Sequence, residues 1–220
     1  MKTNGKKYTE MEKSFKDCNL KFLEKTFGIE QIDTLPALDS WLATPSVPSA
    51  FEEESLLHLR SVLNFNIHDW NEYELDSHFI GPIFTLVNFS NKKFNHYSQR
   101  YLQGQVGEYQ LSGKPDGIVS AGRREPETPY FAFQEYKKEL DPNGDPAGQA
   151  LAAMLVGQSL NDDPSKPVYG CYVNGRDWYF MVLLGKEYSI SQDFSATTDD
   201  IFKVFATLKA LKEIVTKLTA

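Results

Sequence analysis

An α/β fold is expected for this chain, because segments with helical apolar spacing and segments with strand alternation follow one another through residues 67–220. Apolar residues recur every three or four positions in 69–89 and 198–218, and 145–161 reads as a helix of small residues. Elsewhere apolar positions mark short strands near 99–111, 114–120, 130–137, 168–173 and 178–184. Between the last two strands stands Asn174-Gly175, a hairpin signal because both central positions of a type I′ turn need positive φ.

Ahead of that alternation the pattern is helical and interrupted. Tyr8, Met11, Phe15, Cys18 and Phe22 share a face that predicts a docking helix over 8–27, with Gly28 as its stop. Pro36, Pro45 and Pro48 make 28–55 an irregular connection with a short helical turn near 38–42. A helix over 51–63 turns Leu56, Leu59 and Leu63 inward and gathers Glu52, Glu53 and Glu54 in its first turn, where the helix dipole favours acids. Residues 1–66 therefore read as a helical N-terminal extension packed on a core of 67–220.

The core opens with a helix over 69–89, capped by Asp69 and striped by Leu75, Phe79, Pro82, Ile83 and Leu86. Pro82 demands a kink or a local break. In the helix over 145–161, Ala152, Ala153 and Gly157 allow close packing on a sheet. The last helix, 198–218, carries Ile201, Val204, Phe205, Leu208, Leu211 and Val215 on one side.

Chemistry concentrates in 113–137. Read with period 2, Phe131, Phe133, Glu135 and Lys137 share one face of a strand, so an apolar stripe ends in an acid and a base pointing the same way. Such charges need partners to offset their desolvation, and Asp116, at the end of the preceding short strand, is a candidate to meet them. Two carboxylates and a lysine at one point suit metal-assisted phosphodiester cleavage, because carboxylates bind Mg²⁺ or Mn²⁺ through hard oxygens and a lysine offsets charge on the phosphate. Glu72 lies on the apolar stripe of its helix, and a glutamate aimed at the sheet calls for a partner; Glu74 is the alternative. None of His58, His68, His78 and His96 has ligand-like spacing to another, and Cys18 and Cys171 are far apart, so neither a histidine centre nor a disulfide framework is expected.

Pro115-Asp116 and Glu135-Tyr136-Lys137 resemble the two halves of the motif that names the PD-(D/E)XK nuclease superfamily. The segments 70–75, 79–82, 134–139 and 169–172 are similar to an uncharacterised bacterial family within it. This resemblance implies a restriction-endonuclease-like core made of a helix, three strands, a helix and a strand hairpin. It implies a Mg²⁺- or Mn²⁺-dependent nuclease acting on DNA ahead of RNA. Glu135 would be a direct metal ligand, Asp116 would bridge or complete the shell, and Lys137 would stand beside the attacking water. The resemblance also implies that Glu72 adds to the metal site and that Gln149, early in its helix, faces it.

Charge works against long-duplex binding. With 23 Lys and Arg against 30 Asp and Glu, the net charge of −7 is the wrong sign for holding DNA by phosphate contacts alone. Local clusters offset this in part: the lysines of 1–25, then Lys92, Lys93, His96 and Arg100, then Arg123 and Arg124. Two rival readings follow. One is a catalytically inactive nuclease-fold module for binding or assembly, and the other is an interaction protein whose terminal amphipathic helices bind a partner chain or a second copy as a homodimer. A cytoplasmic location without membrane contact is expected, since the start Met1–Lys7 is polar and no apolar run approaches spanning length.

Overall fold

The computed structural model describes residues 11–139 and 144–219, which form an α/β structure with two sheets. The main sheet runs, in spatial order, β2 (Glu30–Gln31), β10 (Glu187–Ile190), β9 (Asp177–Leu184), β8 (Val168–Asn174), β7 (Glu127–Lys137), β6 (Gly117–Ala121) and β3 (Phe94–Ser98), with β11 (Phe194–Ser195) paired to β9. Strands β3, β6 and β7 are antiparallel neighbours, whereas β8 lies parallel to β7. A parallel neighbour requires a crossover, and helix α6 (Pro146–Asn161) supplies it. A smaller sheet, β1 (Met11–Ser14), β5 (Tyr109–Gly113) and β4 (Leu102–Val106), packs near α6.

Each face of the main sheet is covered. On one side Val119, Ala132, Tyr136, Cys171, Val173 and Phe180 meet α2 (Pro36–Leu42), α3 (Ala50–Asn66), α5 (Gly81–Val87) and α7 (Asp200–Leu218). On the other, Ile118, Phe133, Val168 and Met181 meet α6 and α1 (Leu20–Phe27). Trp41 locks the first layer: its indole N–H donates to the Thr207 carbonyl at 2.7 Å, and its ring meets Tyr169 and Phe180 edge-on at 5.1 and 5.2 Å. The small residues of α6 work as their type suggests. A Cβ on Gly157 would lie 2.4 Å from the Phe133 ring, so only glycine lets the helix sit this close to the strand. Gly157→Val is expected to lower stability by about 2–3 kcal/mol through overpacking, a fall in melting temperature of roughly 5–10 °C for a chain this long, measured by thermal melting.

Several elements differ from expectation, each for a local reason. The helix over 8–27 is confined to α1; Tyr8 lies outside the described residues, and Met11 sits in β1, paired in parallel with β5. With β1 and β2 both built into sheets, residues before 67 are not purely helical. The strand near 99–111 is a hairpin, β4 and β5, turning at Gly107, and β3 precedes it. The loop of the β8–β9 hairpin falls one residue later than Asn174-Gly175: Asn174 pairs with Asp177, and Gly175, with φ at 60°, takes the left-handed position. Asp69 is not the cap of the first core helix. Asn71 caps α4 (Glu72–Leu75), accepting from the Glu74 N–H at 3.0 Å. The break expected at Pro82 is a π-helical turn, Asp76–Ile80, between α4 and α5. Proline offers no N–H and its ring presses on the carbonyl four residues back, which a wider turn relieves.

The stripe of Phe131, Phe133, Glu135 and Lys137 is also broken. The β6–β7 register shifts around Ser120, so Phe131 joins the α5–α7 side while Tyr130 and Phe133 stack on the α6 side, ring centroids 6.0 Å apart.

Candidate active site

The elements meet at one end of the main sheet, where β6 begins and β7 ends. Gly117 pairs with Gln134 across β6 and β7, which sets Asp116 opposite the Glu135 end of the strand. One Asp116 oxygen accepts the Tyr136 N–H at 2.6 Å, and the other accepts the Gln99 side-chain amide in a short contact. Gln99 has φ at 54°, unusual for a residue with a side chain, and its own N–H donates to the Asp116 carbonyl at 3.2 Å. This loop residue thus grips Asp116 twice.

Lys137 links the other acids. Its ammonium donates to Glu135 at 2.9 Å, to Glu72 at 3.4 Å and to the Tyr136 carbonyl at 3.1 Å, using all three of its protons. Glu135 is 7% exposed. Glu72 reaches the same ammonium from the first turn of α4, so a helix from one face of the sheet and a strand from its middle supply the two acids.

The remaining candidates divide. Gln149 is buried in α6, and a methyl at Gly144 would meet its Nε2 at 2.8 Å and the Lys137 Cε at 3.9 Å, so both side chains flank the same glycine. Glu74 is not brought in: its carboxylate accepts the Asn71 N–H at 2.9 Å and closes the helix cap. Gln99 and the Tyr136 N–H are partners that sequence reading missed. The first carries no motif, and the second is a backbone group whose direction depends on strand register.

Two carboxylates contact one ammonium and a third, Asp116, acts on the pair through its charge, and their protonation reflects that imbalance. Burial raises the Glu135 pKa to about 8, assisted by the Asp116 charge and opposed by Lys137. Asp116 is pushed up to about 6 by burial, against the pull of the Tyr136 N–H and Lys137. Burial alone would lower the Lys137 pKa, but Glu135, Glu72 and Asp116 together raise it. His96 does not belong to a basic patch: burial holds its pKa down near 4, its Nε2 lies 3.1 Å from the Gln134 Oε1, and its ring stacks on Phe84 at 4.7 Å.

Among the described residues no group of three or more His, Cys, Asp and Glu side chains is arranged to enclose a metal as it stands. Ammonium contacts account for two of the acids here, and Asp116 is turned to its amide donors. The donor set nevertheless fits a hard divalent cation: it is all carboxylate oxygen, and it holds more negative charge than one lysine offsets. A cleft of about 1140 Å³ opens between α3 and α5, and none of Glu72, Asp116, Glu135 and Lys137 lines it.

The molecule is thus an α/β protein with a half-closed cluster of three acids and a lysine at one sheet end. No protein-family model matches the chain, and comparison with curated proteins found no match. No described helix is long and apolar enough to cross a membrane.

Proposed function

We propose that the chain is a divalent-metal-dependent nuclease of the PD-(D/E)XK superfamily, with DNA ahead of RNA as substrate. The observation that carries this is the approach of Glu72 from α4 and of Asp116 from the start of β6 to Glu135 and Lys137 at the end of β7, in a partly buried site with excess negative charge. The element order supports a restriction-endonuclease-like core: α4 and α5, then β3, β6 and β7, then α6, then β8 parallel to β7, with the β4–β5 hairpin inserted. Glu135, Asp116 and Glu72 would hold the metal. Bound Mg²⁺ or Mn²⁺ would polarise the phosphoryl oxygens and lower the pKa of the attacking water. Lys137 offsets charge that builds on the phosphate, and Gln149 orients polar groups beside it. Gln99 and the Tyr136 N–H keep Asp116 fixed in direction.

A second reading, a nuclease fold kept as a binding or assembly module, is favoured by the closed Lys137 network, which leaves no proton of the ammonium free. The two separate on cleavage. Purified protein is expected to nick plasmid and degrade single-stranded DNA in Mg²⁺ or Mn²⁺ at low salt, and to stop in chelator. Background cleavage of DNA and RNA under every metal would leave only the module.

A further inference from the structure

We infer that the rim of this site grips single-stranded DNA, with Tyr73 and Tyr101 as stacking platforms for unpaired bases and Arg100, Lys114 and Lys138 as phosphate contacts. The inference rests on the nuclease reading for its chemistry but on separate residues for its surface.

Tyr73 directly follows Glu72 and is 78% exposed; Tyr101 lies two residues after Gln99 and is 60% exposed. Phe51 and Phe65 of α3 are equally exposed, but Tyr73 and Tyr101 are the exposed rings whose near chain neighbours, Glu72 and Gln99, hold the cluster. Tyr101 is also held in direction, its hydroxyl donating to the Gln103 Oε1 at 3.1 Å. Exposed aromatic rings beside a charged groove accept nucleobases by stacking, whatever the sequence, because every base has a π-face.

The cations converge through topology. Strand β3 ends and β6 begins at the same end of the sheet, Ser98 pairing with Gly117, and β7 ends there too. Arg100 therefore follows the end of β3, Lys114 precedes Asp116, and Lys138 follows Lys137. All three are exposed, and among the described residues none is in an ion pair. Arg123 and Arg124 lie beyond the other end of β6 and do not contribute.

Magnitude selects the strand form. Duplex binders that neutralise about six to ten phosphates lose affinity steeply with salt, whereas three cations on a single strand give a log–log slope of only about −2. On a chain of net charge −7, so small a cationic surface holds a short flexible strand better than a stiff duplex. Paired bases also present no free face to a tyrosine.

The test is fluorescence anisotropy in chelator, where nothing is cut, using a labelled twelve-nucleotide thymidine strand, a hairpin duplex and a uridine strand. Thymidine should bind at least about tenfold more tightly than duplex, and Tyr73→Ala or Tyr101→Ala should each weaken it by about tenfold. Tyr→Phe at either position should restore binding. Equal affinity for duplex, or alanine variants that bind like wild type, would overturn the surface assignment; tighter binding of uridine would overturn its DNA preference. Cleavage is scored separately in Mn²⁺. Metal-dependent cutting without tyrosine dependence removes this inference and leaves the nuclease reading, and tyrosine-dependent binding without cutting does the reverse.

Discussion

Lys137→Ala is expected to lose DNA cleavage by about 10²–10³-fold while keeping its divalent-metal binding. The magnitude follows from removing a preorganised group aimed at developing charge, which elsewhere is worth roughly 3–4 kcal/mol. In the proposed metal site, binding would survive because Glu72, Asp116 and Glu135 would supply the oxygens, and deleting the ammonium makes their surroundings more negative. Without metal the variant should be less stable than wild type, since Glu135 and Glu72 lose their shared partner. Cleavage kinetics and metal-dependent melting, run on the same preparations, check both halves. Activity equal in wild type and Lys137→Ala would come from a contaminating nuclease, and loss of metal binding together with cleavage would make Lys137 a folding residue rather than a catalytic one.

What sequence reading reached and missed has a consistent physical cause. Strand alternation alone placed Glu135 and Lys137 side by side, and their contact at 2.9 Å follows from a two-residue repeat. The small residues of α6 were equally legible, because close packing of a helix on a sheet demands them. Glu72 was readable from its place on an apolar stripe, though the cap expected at Asp69 falls at Asn71. The misses depend on pairing between distant segments. Nothing in residues 127–137 announces the bulge that turns Phe131 away from Phe133, since the register shift arises from the match with β6. Met11 reads as part of a helical face until β5 offers it a parallel partner. Gln99 is an ordinary loop glutamine in sequence, and only the meeting of β3 with β6 brings its amide to Asp116. Local periodicity thus brought the charged residues of β7 into view, while the residues that hold them in place come from long-range register.

Divalent metal is expected to raise the melting temperature of the wild-type protein strongly at pH 8, weakly at pH 5, and not at all in Glu135→Gln. The sign follows from protonation. Asp116 and Glu135 have folded pKa values of about 6 and about 8, well above the ordinary carboxylate range. Between those limits the folded chain binds more protons than the unfolded chain, so stability is fully present below the unfolded values and falls as pH rises through the folded ones. Lys137, with its pKa raised, stays charged throughout this window and adds no slope. A cation binds the ionised carboxylates, so it must displace protons from both acids at pH 5, whereas at pH 8 Asp116 is ionised and Glu135 about half so. At a hundredfold excess over Kd it contributes about 2.7 kcal/mol, which for a chain of this length is a rise of roughly 5–10 °C. Glu135→Gln keeps the shape of the side chain and removes the charge, so its stability without metal should also decline less between pH 5 and pH 8. Scanning calorimetry with Mn²⁺ and with chelator at both pH values checks all of this. A shift of equal size in Glu135→Gln would place the ion elsewhere, and a shift in wild type that ignores pH would mean that the buried carboxylates are not what binds it.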